Sequence, residues 1–128
     1  MAKDGRIAVA IVEDNEVFRE ALEILLGLDP GIEVVLSVES GSEAVEACPS
    51  AAPDVVLVDY RLPDLDGVET TRAIRAVCPA AAVVVLTAAA DDPEFDALRA
   101  AGAVACLTKD RSLDDIVAAV RAAAERDG

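Results

Sequence analysis

The stretch Val55-Val-Leu-Val-Asp-Tyr-Arg-Leu-Pro-Asp-Leu-Asp-Gly67 decides how the rest of the chain is read. Four apolar residues, Val55–Val58, run without a polar break and stop at Asp59. A short, β-branched run that is apolar on both faces reads as a strand covered on both sides, as in a parallel sheet. Pro63 and Gly67 are turn residues. Beyond them Val68, Thr71, Ile74 and Val77 recur at helical spacing, which predicts a helix over Val68–Val77.

Working outward, the same strand–helix unit occurs five times. The other apolar runs are Ile7–Val12, Ile32–Val38, Ala82–Leu86 and Ala103–Leu107. Glu16–Leu28 places Val17, Ala21, Leu25 and Leu28 on one stripe. Ser40 and Glu43 have the spacing of a capping box before Ala44–Cys48. Asp92-Pro93 reads as an N-cap with proline at the first helical position, and Gly102 lies just past that helix. A last helix over about Leu113–Glu125 puts Leu113, Ile116, Val117, Val120 and Ala124 on one face. Helical crossovers between parallel strands give a doubly wound sheet with helices on both faces, that is, an α/β fold of (βα)5 type. No linker, repeat or low-complexity tract interrupts the pattern, so one domain over 1–128 is expected, with a core of about 6–125.

Composition narrows the function. The 128 residues are 54% hydrophobic but only 2% aromatic, so the core must be Val, Leu, Ile and Ala. A formal charge of −14, from 25 acidic against 11 basic residues, repels DNA and anionic lipid and argues against direct nucleic-acid binding. The three cysteines, Cys48, Cys78 and Cys106, form no CxxC pair and there is no histidine, which disfavours zinc and any internal imidazole chemistry. Scattered thiols suit a reduced, cytoplasmic setting. Met1–Arg6 has no signal-peptide character, and no apolar run approaches the ~20 residues of a membrane helix.

The polar residues that interrupt this pattern fall at one end of the strands: Glu13 and Asp14 after the first, Asp59 after the third, Thr87 at the end of the fourth and Lys109 after the fifth. Open parallel sheets bind ligands at that edge. Each residue alone has a bland reading as cap, turn, exposed lysine or strand threonine; together they form a set. Three gathered carboxylates repel one another, by about 4 kcal/mol for a pair at ~4 Å and an effective dielectric of ~20. A hard divalent cation such as Mg²⁺, with Lys109, would neutralise them. Carboxylate, cation, lysine and hydroxyl make a set suited to phosphoryl transfer, with Asp59 as nucleophile and Thr87 as a hydrogen-bond donor to the phosphoryl group. With no histidine in the chain, a histidine phosphodonor would come from another protein.

From about Ile7 to Ala124 the sequence resembles a bacterial response-regulator receiver domain. The resemblance rests on Ile-Val-Glu-Asp-Asn at 11–15, Val-Asp-Tyr-Arg-Leu-Pro-Asp-Leu-Asp-Gly at 58–67, Val-Leu-Thr-Ala at 85–88 and Leu-Thr-Lys-Asp at 107–110. It implies a flavodoxin-like sheet in the order 2-1-3-4-5. It implies a phosphoacceptor at Asp59, a direct Mg²⁺ ligand at Asp14, an outer acidic partner at Glu13 and a metal-binding backbone carbonyl at Arg61. Thr87 and Lys109 match the residues that meet the phosphoryl group, with Ala88 beside them, and Pro63 and Gly67 match positions that shape the loop. The family's donors are histidine kinases or histidine phosphotransfer proteins. Its members catalyse their own phosphorylation and dephosphorylation and shift the face made by helix 4, strand 5 and helix 5. Homodimers through helices 1 and 5, or through that output face, both remain open.

Two positions depart from the family. Cys106 stands where many receivers carry a switching Tyr or Phe, and reads as a small apolar strand residue. Asp110 follows Lys109 where many have proline; that pair resembles the subfamily with a LuxR-type helix-turn-helix output, so a receiver excised from a longer regulator is favoured over a stand-alone one. Ala88 and Ala89 suggest an open path to the site, with Arg61 covering its other side. The rival readings are a haloacid-dehalogenase-type phosphatase, whose Asp-x-Asp is missing at Asp59-Tyr60-Arg61; a pseudo-receiver that is not phosphorylated; and a flavin binder, disfavoured by the lack of aromatics.

Overall fold

The computed structural model describes residues 5–88 and 92–126. Five strands, β1 (Ile7–Val12), β2 (Ile32–Val38), β3 (Val55–Asp59), β4 (Ala82–Thr87) and β5 (Ala103–Thr108), alternate with α1 (Glu16–Leu28), α2 (Gly41–Ala51), α3 (Gly67–Val77), α4 (Asp92–Ala101) and α5 (Leu113–Arg126). All neighbouring strands are parallel, in the order β2-β1-β3-β4-β5. The continuous apolar runs are the three central strands, buried along almost their whole length, and the mixed runs β2 and β5 are the edges.

Alternation along each strand feeds two cores. Val9, Ile11, Val55, Leu57, Val84 and Leu86 pack under α1 and α5, against Leu22, Leu26, Ile116 and Val120. Ala10, Val12, Val56, Val58, Val83 and Val85 pack under α2, α3 and α4, against Ala44, Cys48, Ile74 and Leu98. Neither cluster contains a fully buried aromatic residue.

Two β-bulges interrupt the edge strands. The pairing steps from Val9↔Val34 to Ala10↔Leu36, skipping Val35, and from Val83↔Ala103 to Val84↔Ala105, skipping Val104. One extra residue exchanges the two faces of everything that follows. Thus Val34 lies on the α1/α5 side whereas Leu36 and Val38 lie on the other. In β5 the bulge sends Leu107 toward α1/α5 and Cys106 toward α4. At each bulge the local run is apolar, Val34-Val35-Leu36 in β2 and Ala103-Val104-Ala105 in β5, so no break in periodicity marks either one in the sequence.

Several helix details differ from the sequence expectation. In α1 the buried residues are Leu22 and Leu26, with Phe18 packed beside them, while Val17 and Leu28 are 79% and 75% exposed. The apolar arc of the helix is wide, so spacing permits either stripe, and packing selects the other one. At α2, Ser40 Oγ accepts from the Glu43 N–H, but the Glu43 carboxylate takes the Ser40 hydroxyl instead of its backbone N–H. The reciprocal capping box is at Asp66 and Glu69, opening α3. Buried contacts of α3 come from Thr70, Thr71 and Ile74, with Val77 40% exposed, and Ala123 replaces Leu113 on the inner face of α5. α4 begins at Asp92, whose side chain lies outside the described ones, and Gly102 follows that helix at φ +114°.

Gly67 opens α3 against the side of Tyr60: a Cβ there would lie 2.6 Å from Tyr60 Cδ1 and 3.1 Å from its Cα. Because one clash is with backbone, Gly67→Ala should destabilise by about 1–3 kcal/mol, read as a lower urea midpoint at unchanged m-value. A midpoint at or above wild type would show that the loop yields freely.

Candidate functional site

β1 and β3 are adjacent although they are not consecutive, so strand order reverses between β1 and its neighbours β2 and β3. The carboxyl ends of β1 and β3 therefore deliver Glu13, Asp14 and Asp59 to one cleft. One carboxylate oxygen from each lies within 4.8 Å of the others. Glu13 and Asp59 are buried, 1% and 6% exposed, and Asp14 faces solvent. Lys109, carried in from the end of β5, sets its ammonium 2.8 Å from Glu13 Oε1 and 3.3 Å from Asp59 Oδ1.

The backbone fixes this arrangement. The Lys109 N–H donates to the Thr87 carbonyl at 2.7 Å, tying the end of β4 to the lysine. Thr87 itself is buried, and Ala88 is exposed at the rim. The Arg61 N–H donates to Asp59 Oδ1 at 3.4 Å, and Arg61 bridges Asp66, which closes the β3–α3 loop over a few residues. The Arg61 side chain is exposed. Cys106 is half-buried on the α4 side, and burial pushes its thiol pKa up despite Arg99 nearby; this supports the apolar-strand reading. Ala89 lies outside the described residues.

Other residues complete the site and were not singled out in the sequence. The Asn15 N–H donates to Glu13 Oε2 at 3.0 Å, and the Asn15 side chain caps α1 by accepting from the Phe18 N–H. Arg19 donates to the Glu13 carbonyl at 2.9 Å. The Lys109 ammonium sits 4.7 Å from the centroid of the Phe18 ring. Asp64 accepts from the Gly41 and Ser42 N–H groups at 2.9 Å, capping α2 from the far side of the loop, and these bonds with the Ser42 hydroxyl hold its carboxyl below the usual range. An asparagine or aspartate before a helix is a legible cap; a cap supplied across 22 residues is not. The Asp64-Leu65-Asp66 segment of this loop is thus spent on capping, Asp64 on α2 and Asp66 on α3.

The electrostatics follow from burial. Asp59 is pushed up to about 7, first by desolvation and then by the Glu13 charge, with Lys109 pulling the other way. The Lys109 pKa is raised: burial opposes its charge, but hydrogen bonds and the fields of Glu13 and Asp59 outweigh that. One lysine does not balance the cleft.

Fold and rim together define a flavodoxin-like α/β domain built round an acidic pocket with a lysine inside it. Residues 9–121 match the family model of the response regulator receiver domain. The chain belongs to that family, the receiver domains of two-component response regulators. It is 33% identical over 122 residues to the transcriptional regulatory protein DegU of Brevibacillus brevis, covering 95% of this chain and 52% of that one. It is 39% identical over 129 aligned residues to a protein-glutamate methylesterase/protein-glutamine glutaminase of Syntrophus aciditrophicus, covering 93% and 37%. The crystal structure of a LuxR-family two-component response regulator from Aurantimonas superposes with a TM-score of 0.89 at 28% identity, covering 94% of this chain and 86% of that one. The chain spans about half the length of the transcriptional regulators it matches. Among the described residues no helix is long and apolar enough to cross a membrane.

The raised Asp59 pKa has a definite sign. Below pH ~4 the carboxyl is protonated both folded and unfolded. Between ~4 and ~7 the unfolded chain ionises first, so stability falls as pH rises through that window. Asp59→Asn removes this loss. In chelator-treated protein the variant should exceed wild type at pH 8 by up to about 4 kcal/mol, with the gap closing toward pH 4. Urea unfolding at pH 4, 6 and 8 reads it; a gap independent of pH would contradict the assignment.

Proposed function

We infer that this domain accepts a phosphoryl group on Asp59 and uses it as a signalling switch. The carrying observation is the convergence of Glu13, Asp14 and Asp59 within 4.8 Å, two of them buried, against one lysine, Lys109, in ion-pair range among the described residues. All-oxygen donors and uncompensated negative charge fit Mg²⁺. Asp14 and Asp59 would hold it with the Arg61 carbonyl, and Glu13 would act from behind; when bound, it would neutralise charge on the transferring oxygens.

The chain's own residues account for the remaining roles. Lys109 and the Arg61 N–H both engage Asp59 Oδ1, which presents Oδ2 for attack. An Oδ2–phosphorus bond forms as the phosphorus–nitrogen bond of a donor phosphohistidine breaks; the imidazole nitrogen keeps the bonding pair and the ring takes up a proton. Lys109 stabilises the charge that spreads over the phosphoryl oxygens. The Thr87 hydroxyl, with Ala88 beside it, then donates to a phosphoryl oxygen. Hydrolysis reverses the state when water attacks phosphorus and the Asp59 carboxylate leaves. The donor would be a histidine kinase or phosphotransfer protein in the cytoplasm, and the relatives' names favour transcription as the output. The pseudo-receiver alternative finds no support in a pocket with every acidic member gathered.

Intact mass after incubation with acetyl phosphate should show one added phosphoryl group with Mg²⁺, none with chelator and none in Asp59→Asn. No gain in wild type, or an undiminished gain in the variant, removes the reading. Arg61, exposed beside the pocket, should tune the lifetime of the phosphorylated form; a lifetime unchanged in Arg61→Ala would refute that role.

A further inference from the structure

We propose that Phe18 is a positioning residue for Lys109, a neutral aromatic seat that keeps the ammonium over the pocket while its anionic partners change. The inference rests on the phosphoacceptor reading above and deepens it. Aromatics are 2% of the chain, and one of them faces this ammonium at 4.7 Å.

Four contacts form a closed circuit. Lys109 Nζ meets Glu13 Oε1 at 2.8 Å, Glu13 Oε2 accepts from the Asn15 N–H at 3.0 Å, and Asn15 Oδ1 accepts from the Phe18 N–H at 2.9 Å. The Phe18 ring returns to Lys109. The helix cap that starts α1 thus also fixes the Phe18 backbone, and its side chain packs against the core cluster that contains Leu22 and Leu26.

The chemistry explains why a neutral partner matters. Lysine is a compact charge on a flexible stem, and its side chain here is 24% exposed. Two carboxylates alone would hold it only while they remain its best partners. Once Asp59 carries a phosphoryl group, Lys109 must exchange carboxylate oxygens for phosphoryl oxygens. The negative face of an aromatic ring attracts the ammonium throughout, because nothing in the exchange alters the ring. Phe18 touches no reacting atom, so its effect is confined to where Lys109 spends its time.

The test compares ring electronics at constant shape. Trifluorinated phenylalanine at 18 keeps the packing but drains charge from the ring face. It should slow phosphorylation by acetyl phosphate about three- to tenfold. Phe18→Leu should slow it similarly, and Phe18→Tyr and Phe18→Trp should retain near-wild-type rates. In Lys109→Gln the fluorinated ring should have no further effect. In metal-free protein, the Lys109 methylene protons should be shifted by the ring in wild type and lose that shift in Phe18→Leu. Equal rates for the native and fluorinated rings, or an undiminished fluorination effect in Lys109→Gln, would overturn the proposal. Wild type serves as the separate control: its failure to gain phosphoryl would sink the phosphoacceptor reading instead.

Discussion

Two buried carboxylates share one lysine, and most of what is specific about this molecule follows from that imbalance. Glu13 and Asp59 sit where water is nearly excluded, with a third carboxylate, Asp14, close by. Lys109 reaches two of the three. Desolvation and mutual repulsion win over the lysine, so Asp59 holds its proton far above the ordinary aspartate range. A group in that state is a poor nucleophile until positive charge arrives. In the proposed reaction, ionisation of Asp59 and binding of a cation would favour one another.

Topology makes the imbalance inescapable. Parallel strands all end on the same rim, and the reversal of strand order places the ends of β1 and β3 side by side. The bulge at Val104 adds a less obvious step. It exchanges the faces of β5 beyond that point, so Leu107 turns toward the α1/α5 layer and Cys106 toward α4. Lys109, two residues past Leu107, arrives on the α1 side, beside Phe18. A regular strand would have carried the lysine toward the opposite layer.

The sequence made legible whatever depends on strand order and end residues. Continuous apolar runs identified the central strands, and the residues that terminate them identified Glu13, Asp14, Asp59, Thr87 and Lys109 as one set. What it concealed depends on choices between near-equivalent local patterns. An α1 whose apolar arc is wide can bury Val17 and Leu28 or Leu22 and Leu26, and only the packed sheet selects the second. Bulges leave no trace where the skipped residue, Val35 or Val104, has apolar neighbours on both sides. Asp64 as a cap for α2 and Phe18 as a seat for Lys109 are long-range pairings with no signature in local spacing.

The small thiol at 106 constrains how a signal can leave the pocket. A cysteine cannot sweep out the volume that an aromatic ring would when it changes rotamer, so a relay built on a swinging ring at that position is unavailable. A backbone link remains. The Thr87 carbonyl accepts from the Lys109 N–H at 2.7 Å, and Thr87 pairs with Thr108 in the β4–β5 ladder. Thr87 and Lys109 are also the two residues matched to the phosphoryl oxygens. Any shift of Thr87 toward a phosphoryl group on Asp59 must carry the β5 end with it or break that hydrogen bond, an exchange worth about 1 kcal/mol. That is within the 1–3 kcal/mol typical of coupling between sites. Main-chain coupling through β5 would thus suffice in magnitude, and Phe18, 4.7 Å from the Lys109 ammonium, lies beside the same unit.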